Sequence, residues 1–488
     1  MRKTAILAMV AFVILSGCKD SIKDESVGKQ PPSPQVPVQA PVPAVVEKAK
    51  EAARPEIQEK PKVEPEKKAG GDQLKSFPEK VVPLTLGMQT KPNCSSTADL
   101  QDIGKLGVKF IRRGFYWDGI EKEKGKYEFT EYDRILKDAD DNGLRVLACL
   151  FGNNKLHEDD NRGGIQTEEG RKGYANFAAA LASHFKGRGI IWEIWNEPNV
   201  RTFWRNDKGA MHNSPEFADE YTALVKETVK TMRLSDPDCL VVAGSVSCFW
   251  DPSFNWTDSC FSKGMYKTGI SGWSVHPYGL NSPEEYTAGY ERMRSIMEKY
   301  GAPKDFPMLN TERGFAVAKT KSWEGNPESE GWSGGPEGMA FQYQSWHIVR
   351  QYMIDLMNGI NLSSWYEWAG KEFAIASKDK KRPAYFACKN MIDQLSGFAY
   401  KERMKTASPL DYVLIFVNKA GAEKLVVWTS PPLKATPEKV KDHDVAIPVN
   451  AAGELKLVDL MGKESVVKVT DGKISVKLSG APQYVVLK

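Results

Sequence analysis

The sequence predicts an α/β protein: a (β/α)8 TIM barrel over residues 81–400, followed by an antiparallel β-sandwich over residues 401–488. Three observations predict it. Short apolar runs alternate with longer amphipathic stretches eight times in succession. The hydrophobic period shortens to strict alternation near the C terminus. No glycine-rich phosphate turn follows the first run, which places the doubly wound open sheet second to the barrel.

The eight runs are Leu84–Met88, Lys109–Phe115, Arg145–Phe151, Trp192–Trp195, Leu240–Ser245, Gly272–Val275, Pro307–Asn310 and Ile360–Trp365. Between them, apolar residues three and four apart predict helices: Leu100, Ile103 and Leu106; then Tyr174, Phe177, Leu181 and Phe185; then Phe217, Tyr221, Leu224 and Thr228. Ser214-Pro215 and Ser282-Pro283 suit helix starts, where Ser caps and Pro fits the first turn. In the C-terminal region Val413–Val417, Leu425–Trp428 and Val466–Val469 are strand-length runs. Ile474, Val476 and Leu478 alternate with polar residues, and Asp471-Gly472 predicts a hairpin turn before them.

The front of the chain differs. Arg2 and Lys3 precede an apolar stretch, Ala5–Leu15, that is short for a bilayer span and reads as an export signal over residues 1–17. Its end, Leu15-Ser16-Gly17-Cys18, resembles the bacterial lipobox, which implies a diacylglyceryl group on Cys18 and membrane contact through that anchor. Lys19 rather than Asp follows, so the outer membrane is the expected address in a host with two membranes. Residues 18–80 are crowded first with Pro and then with Lys and Glu, a composition that predicts a disordered spacer.

Lys+Arg 67 against Asp+Glu 63 leaves a net charge of +4, too balanced to imply a nucleic-acid partner. The six histidines show no metal-ligand spacing and no paired-Cys zinc motif occurs, so neither a metal nor a cofactor is expected. Cys149 and Cys388 read as buried thiols, and Cys248 with Cys260 is the one pair proposed as a disulfide.

A barrel of this kind places its chemistry at the C-terminal ends of the strands. Two carboxylates stand there: Glu197 in Trp192-Glu193-Ile194-Trp195-Asn196-Glu197-Pro198-Asn199, and Glu312 in Met308-Leu309-Asn310-Thr311-Glu312-Arg313-Gly314. Strands four and seven face each other across a closed barrel, so the two glutamates can flank one glycosidic bond, one protonating the leaving oxygen and the other attacking the anomeric carbon.

These two segments, with Ser274-Val275-His276-Pro277-Tyr278, resemble clan A of the retaining glycoside hydrolases. The chain is most similar to family 39 and its exopolysaccharide-degrading bacterial relatives, with family 5 second. The resemblance covers roughly residues 84–400. It implies Glu197 as general acid/base and Glu312 as nucleophile. It further implies a substrate-binding set of Asn196, Arg112, His276, Tyr278 and Trp365, with Arg112 keeping the nucleophile ionised, Asn196 at the sugar 2-hydroxyl and Trp365 as an aromatic floor. Arg113 points away by strand alternation, and Glu193 reads as a buried ion-pair member.

Tryptophans recur in the loops after strands four, five and seven (Trp204, Trp250, Trp256, Trp323, Trp332), where sugar rings pack on aromatic faces. Trp204 joins the substrate-binding set, although about half of the five are expected only to plug loops, and Phe315–Gly338 is long enough for a mobile lid and equally compatible with a disordered insertion. The expected protein is a monomeric, lipid-anchored retaining glycosidase of the cell envelope, endo-acting on a polysaccharide. The alternatives are an exo-acting β-xylosidase-like enzyme and a non-catalytic glycan-binding lipoprotein.

Overall fold

The computed structural model describes residues 73–158, 163–204, 217–317, 337–370, 372–377 and 380–487. The signal segment, Cys18, most of the spacer, Ser214-Pro215, Trp323, Trp332 and most of the expected lid lie outside them.

Eight parallel strands close into a barrel: β1 (Leu86–Gln89), β2 (Phe110–Tyr116), β3 (Arg145–Phe151), β4 (Ile191–Ile194), β5 (Leu240–Ser247), β6 (Gly272–His276), β7 (Met308–Arg313) and β8 (Ser363–Trp365). They are ordered β1-β8-β7-β6-β5-β4-β3-β2 around the ring. A helix follows each strand: α1 (Thr97–Leu106), α2 (Thr130–Asp141), α3 (Glu168–His184), α4 (Ala218–Ser235), α5 (Asp251–Ser262), α6 (Tyr286–Lys299), α7 (Glu337–Met357) and α8 (Pro383–Leu395). The spacing that predicts α1 is the face it buries, Leu100, Ile103 and Leu106. Ser96 caps it, accepting the amide of Asp99.

Strand alternation fixes the interior. Phe110, Leu147, Ile191, Val242, Leu309 and Leu362 fill the bottom of the barrel. Two residues further along, the same parity brings Arg112, Cys149, Glu193 and Thr311 to the layer above. Two bulges then change the parity. Four residues of β5, Ala243 to Val246, stand opposite three of β6, Trp273 to Val275. Gly244 at φ 114° and Ser245 at φ 40° absorb the extra residue. Likewise β7 runs from Asn310 to Arg313 opposite Ser363 to Trp365 of β8. The residue added to β7 turns Glu312 toward the mouth after Thr311 has already faced inward.

The C-terminal region holds a six-stranded antiparallel sheet ordered β9-β10-β11-β16-β13-β14, from β9 (Phe398–Arg403), β10 (Asp411–Asn418), β11 (Glu423–Thr429), β13 (Glu454–Val458), β14 (Glu464–Lys468) and β16 (Gln483–Val486). A ribbon of β12 (His443–Pro448) and β15 (Lys473–Leu478) faces it. Val413, Leu425, Val427, Ile447, Ile474 and Val476 are in the core between them. The Asp471-Gly472 turn forms, with φ of 51° and 68°. The expected hairpin is confined to one antiparallel bridge, Thr470 with Lys473: beyond it β14 pairs with β13 and β15 with β12, so the chain changes sheets at the turn. The other face of the large sheet packs on the barrel. There Glu284 takes both arms of the Arg350 guanidinium and the indole N–H of Trp428 at 2.7 Å.

Candidate active site

Glu197 follows β4 on a backbone that any side chain resists. Trp195 and Glu197 both adopt left-handed φ, 68° and 48°, each at a cost of about 1–3 kcal/mol. Hydrogen bonds from neighbouring strands hold this turn. Ser245 Oγ donates to the Trp195 carbonyl and accepts the Glu197 amide at 3.0 Å. Asn199 bonds the Ser247 amide and carbonyl, both at 2.9 Å, tying the loop to β5.

The Glu197 side chain is 2 % exposed. Its Oε1 lies 2.8 Å from His276 Nδ1, and its Oε2 is buried. Burial raises this carboxyl to about 7, with the Ser247 hydroxyl and Arg112 acting against the shift. Burial also lowers His276 to about 4, so its imidazole is neutral at physiological pH. Its Nε2 lies 3.1 Å from Thr311 Oγ1. Both ring nitrogens of His276 are thus engaged, one on Glu197 and the other on Thr311.

Glu312 sits in different company. Arg112 Nη1 donates to its Oε2 at 2.8 Å and the Tyr278 hydroxyl to its Oε1 at 3.3 Å. Burial raises this carboxyl too, opposed by His276 and Arg112. The guanidinium and the phenol bond Glu312 directly and favour its ionised form, whereas Glu197 bonds the His276 imidazole, with the Ser247 hydroxyl and Arg112 opposing the rise without cancelling it. Arg112 is saturated: besides Glu312 it donates to Glu193 Oε2 from Nε at 2.8 Å, to Gln89 Oε1 at 3.0 Å and to Asn196 Oδ1 at 2.9 Å. Burial acts to raise Glu193, but Arg112, His276 and the Thr311 and Ser274 hydroxyls together hold the carboxyl below its ordinary value. Arg113 points outward to Glu131 of α2 at 2.9 Å, as alternation requires.

Carboxylate oxygens of Glu197 and Glu312 and a ring nitrogen of His276 all lie within 4.8 Å of one another. Such a trio has the donor types of a metal site. Here the guanidinium against Glu312 opposes a cation, and both His276 nitrogens already have partners.

Several expected residues stand elsewhere. His276 is fully buried beneath Glu197, so it positions that carboxyl rather than meeting substrate. Arg112 likewise is 2 % exposed with its donors engaged, and acts through Glu312 and Asn196 instead of on the sugar. Trp204 is 0 % exposed, donates to Glu220 at 3.0 Å and packs edge-on against Trp195 and Tyr221. It is a plug beneath the loop, because the short helix Arg201–Trp204 turns it under the chain. Trp365 is 1 % exposed and faces His347 of α7. The next residue, Tyr366, has the opposite parity and is half-buried at the mouth. Lys91 Nζ lies 4.7 Å over its ring, and Glu312 and Glu197 both raise its hydroxyl in addition to burial. Cys248 and Cys260 are free buried thiols, not a disulfide. Sequence reasoning missed Ser245, Asn199, Lys91 and Tyr366. The run Ser364-Trp365-Tyr366 offered two aromatic floors, and only the register of β8 decides between them.

Residues 74–358, more than half of the chain, match the family model described as "Cellulase (glycosyl hydrolase family 5)". Endo-1,4-beta-xylanases A and C of Phanerodontia chrysosporium are 27 % and 26 % identical over 144 residues, 29 % of this chain and 34 % of each relative. The chain thus spans about a third of the length of the curated relatives it matches. Among solved structures, a family 39 glycoside hydrolase from Bacteroides cellulosilyticus superposes with a TM-score of 0.65 at 20 % identity, covering 83 % of this chain and 81 % of that one. A monomeric beta-xylosidase from Caulobacter crescentus gives 0.57 at 14 % identity, over 84 % and 97 % of the two chains. At these identities the structural likeness concerns the fold, and family 39, ranked first from sequence, enters through it. By the match over its barrel, the chain belongs to the cellulase family, glycosyl hydrolase family 5, of the clan A glycoside hydrolases.

Proposed function

We propose that the protein is a retaining, endo-acting glycoside hydrolase that cuts the β-glycosidic bonds of a polysaccharide. The observation that carries this reading is the closeness of the two carboxylates, with oxygens within 4.8 Å. Retaining enzymes hold their carboxyl groups about 5–5.5 Å apart, whereas inverting ones leave about 6.5–9.5 Å for a water.

In the first displacement Glu312 attacks the anomeric carbon as the glycosidic bond breaks, and the leaving oxygen takes the proton of the Glu197 carboxyl. In the second, the Glu197 carboxylate takes a proton from water, whose oxygen joins the anomeric carbon and releases Glu312. Asn196 gives its Oδ1 to Arg112, which leaves its NH2 for the hydroxyl beside the anomeric carbon. Tyr366 offers its ring as the floor. The names of the relatives point to 1,4-β-linked xylose or glucose polymers as probes. An anchor at Cys18 would put the enzyme at the surface of the outer membrane, where the cell's own exopolysaccharide is the nearest substrate.

The test is product release from xylan, cellulosic β-glucan and host exopolysaccharide by the parent chain, Glu197→Gln and Glu312→Gln. Oligosaccharides from the parent that either change abolishes support the reading. Unaltered activity in both variants sinks the assignment. A Cys18→Ala chain still retained in the membrane fraction would count against the anchor.

A further inference from the structure

In the proposed displacement the departing half of the polymer leaves over Glu197, on the side of β4, β5 and β6. Past the barrel, β5 and β6 continue together: the Cys248 amide donates to the His276 carbonyl at 2.9 Å and the Phe249 amide to the Tyr278 carbonyl at 3.1 Å. Trp250 comes next, level with Gly279. Its indole N–H donates to the Gly279 carbonyl at 3.4 Å. A Cβ on Gly279 would stand 2.0 Å from that nitrogen, and the residue adopts φ 84°. Only glycine there admits the edge of the ring, which fixes the indole on the rim of the site. Among the described loop tryptophans, Trp204 and Trp256 are buried and Trp250 alone keeps part of its surface open.

The sheet domain reaches the same rim. Asn281, three residues past Tyr278, donates from Nδ2 to the Lys434 carbonyl at 2.8 Å. The Lys434 amide and the Asn281 side of the loop both serve the Glu285 carboxyl. Lys434 turns at φ 63°, and Leu433 before it, in Pro431-Pro432-Leu433, is 72 % exposed. A rigid turn of the appended domain therefore presents an apolar side chain beside the loop that carries Tyr278.

We propose that Trp250 and the Leu433–Lys434 turn form one composite subsite for the departing pyranose, with Trp250 taking the apolar face of the ring. The proposal rests on the reading of Glu197 as the acid. It makes the sheet domain part of the cleft, and it is what an endo-acting enzyme needs to hold chain on both sides of the cut.

The experiment compares the full chain with Trp250→Ala, Trp250→Phe and Leu433→Ser on two substrates of the same sugar. One is xylopentaose or cellopentaose, which occupies the departing side. The other is xylobiosyl or cellobiosyl fluoride, whose leaving group is a single atom. For Trp250→Ala the loss of kcat/KM on the pentasaccharide should exceed that on the fluoride by about ten-fold or more, and for Leu433→Ser by about three-fold. Trp250→Phe should restore most of the difference. Equal losses on the two substrates, or none, would overturn the subsite while leaving the hydrolase intact. A parent that turns over neither substrate removes the hydrolase reading and this one with it.

Discussion

The unequal surroundings of the two glutamates make a quantitative prediction about pH. With Glu197 near 7, its protonated fraction falls from about one half at pH 7 to about a tenth at pH 8 and a hundredth at pH 9. On an unactivated β-linked oligosaccharide, where the leaving oxygen needs its proton, kcat/KM should fall in the same proportion. Glu197→Gln keeps the shape and removes the proton, which should cost about 10²–10⁴ in rate and abolish the alkaline limb, leaving the residual rate flat from pH 6 to 9. The assay is initial rates of reducing-end release from the parent and the variant across that range, beside an aryl glycoside with a good leaving group. The aryl substrate needs little acid help and should lose far less in the variant. An alkaline limb near 7 that persists in Glu197→Gln would refute the reasoning, since another group would then own it.

A second buried carboxyl could imitate that limb through stability. Asp355, raised by burial from 3.8 to about 7, accepts from Tyr290 at 2.6 Å and Asn310 at 2.9 Å behind β7. Its folded value lies above its unfolded one, so its contribution is complete below about pH 4 and is lost as pH rises through 7. This amounts to at most about 4 kcal/mol. Asp355→Asn should therefore gain stability relative to the parent at pH 8 and not at pH 4 in urea denaturation, and should leave the alkaline limb of activity in place. Arg112→Met strands Glu193 and should destabilise the chain by about 3–5 kcal/mol, read as a fall in midpoint, while moving the acid limb of any residual activity upward as Glu312 loses its cation. Trp204→Ala should cost about 3–5 kcal/mol in unfolding with unchanged KM in the folded fraction, and a large rise in KM would restore Trp204 to the substrate.

All eight barrel strands were legible because fully buried parallel strands are near-continuous apolar runs, and the two glutamates followed from their places at the ends of two of them. Glu193 and Arg113 were legible too, since alternation alone assigns one inward and the other outward. The sequence was mute where an extra residue enters a strand. In Leu240–Ser247 only Gly244, an isolated glycine inside an apolar run, hints at the bulge that brings Ser245 under Glu197, and the choice between Trp365 and Tyr366 depends on where β8 ends. Aromatic residues in loops were overvalued, since the indole of Trp204 serves packing as well as it would serve a sugar. Turn chemistry was read correctly at Asp471-Gly472 and its topology was not, because a tight turn states how the chain reverses and not which strand it meets.

The sharing of Arg112 between two carboxylates has a consequence for the whole cycle. Arg112, Glu193 and Glu312 together carry one negative charge at rest, in a place from which water is largely displaced. In the proposed displacement the sugar becomes cationic near the top of the barrier, and the sum around it passes to zero at that moment. Once Glu312 is esterified its charge is gone, yet Arg112 is not stranded, because Glu193 still neutralises it from 2.7 Å. A residue that touches no substrate thus acts as the counterweight that keeps the barrel's interior electrically even while the reacting carboxylate is occupied.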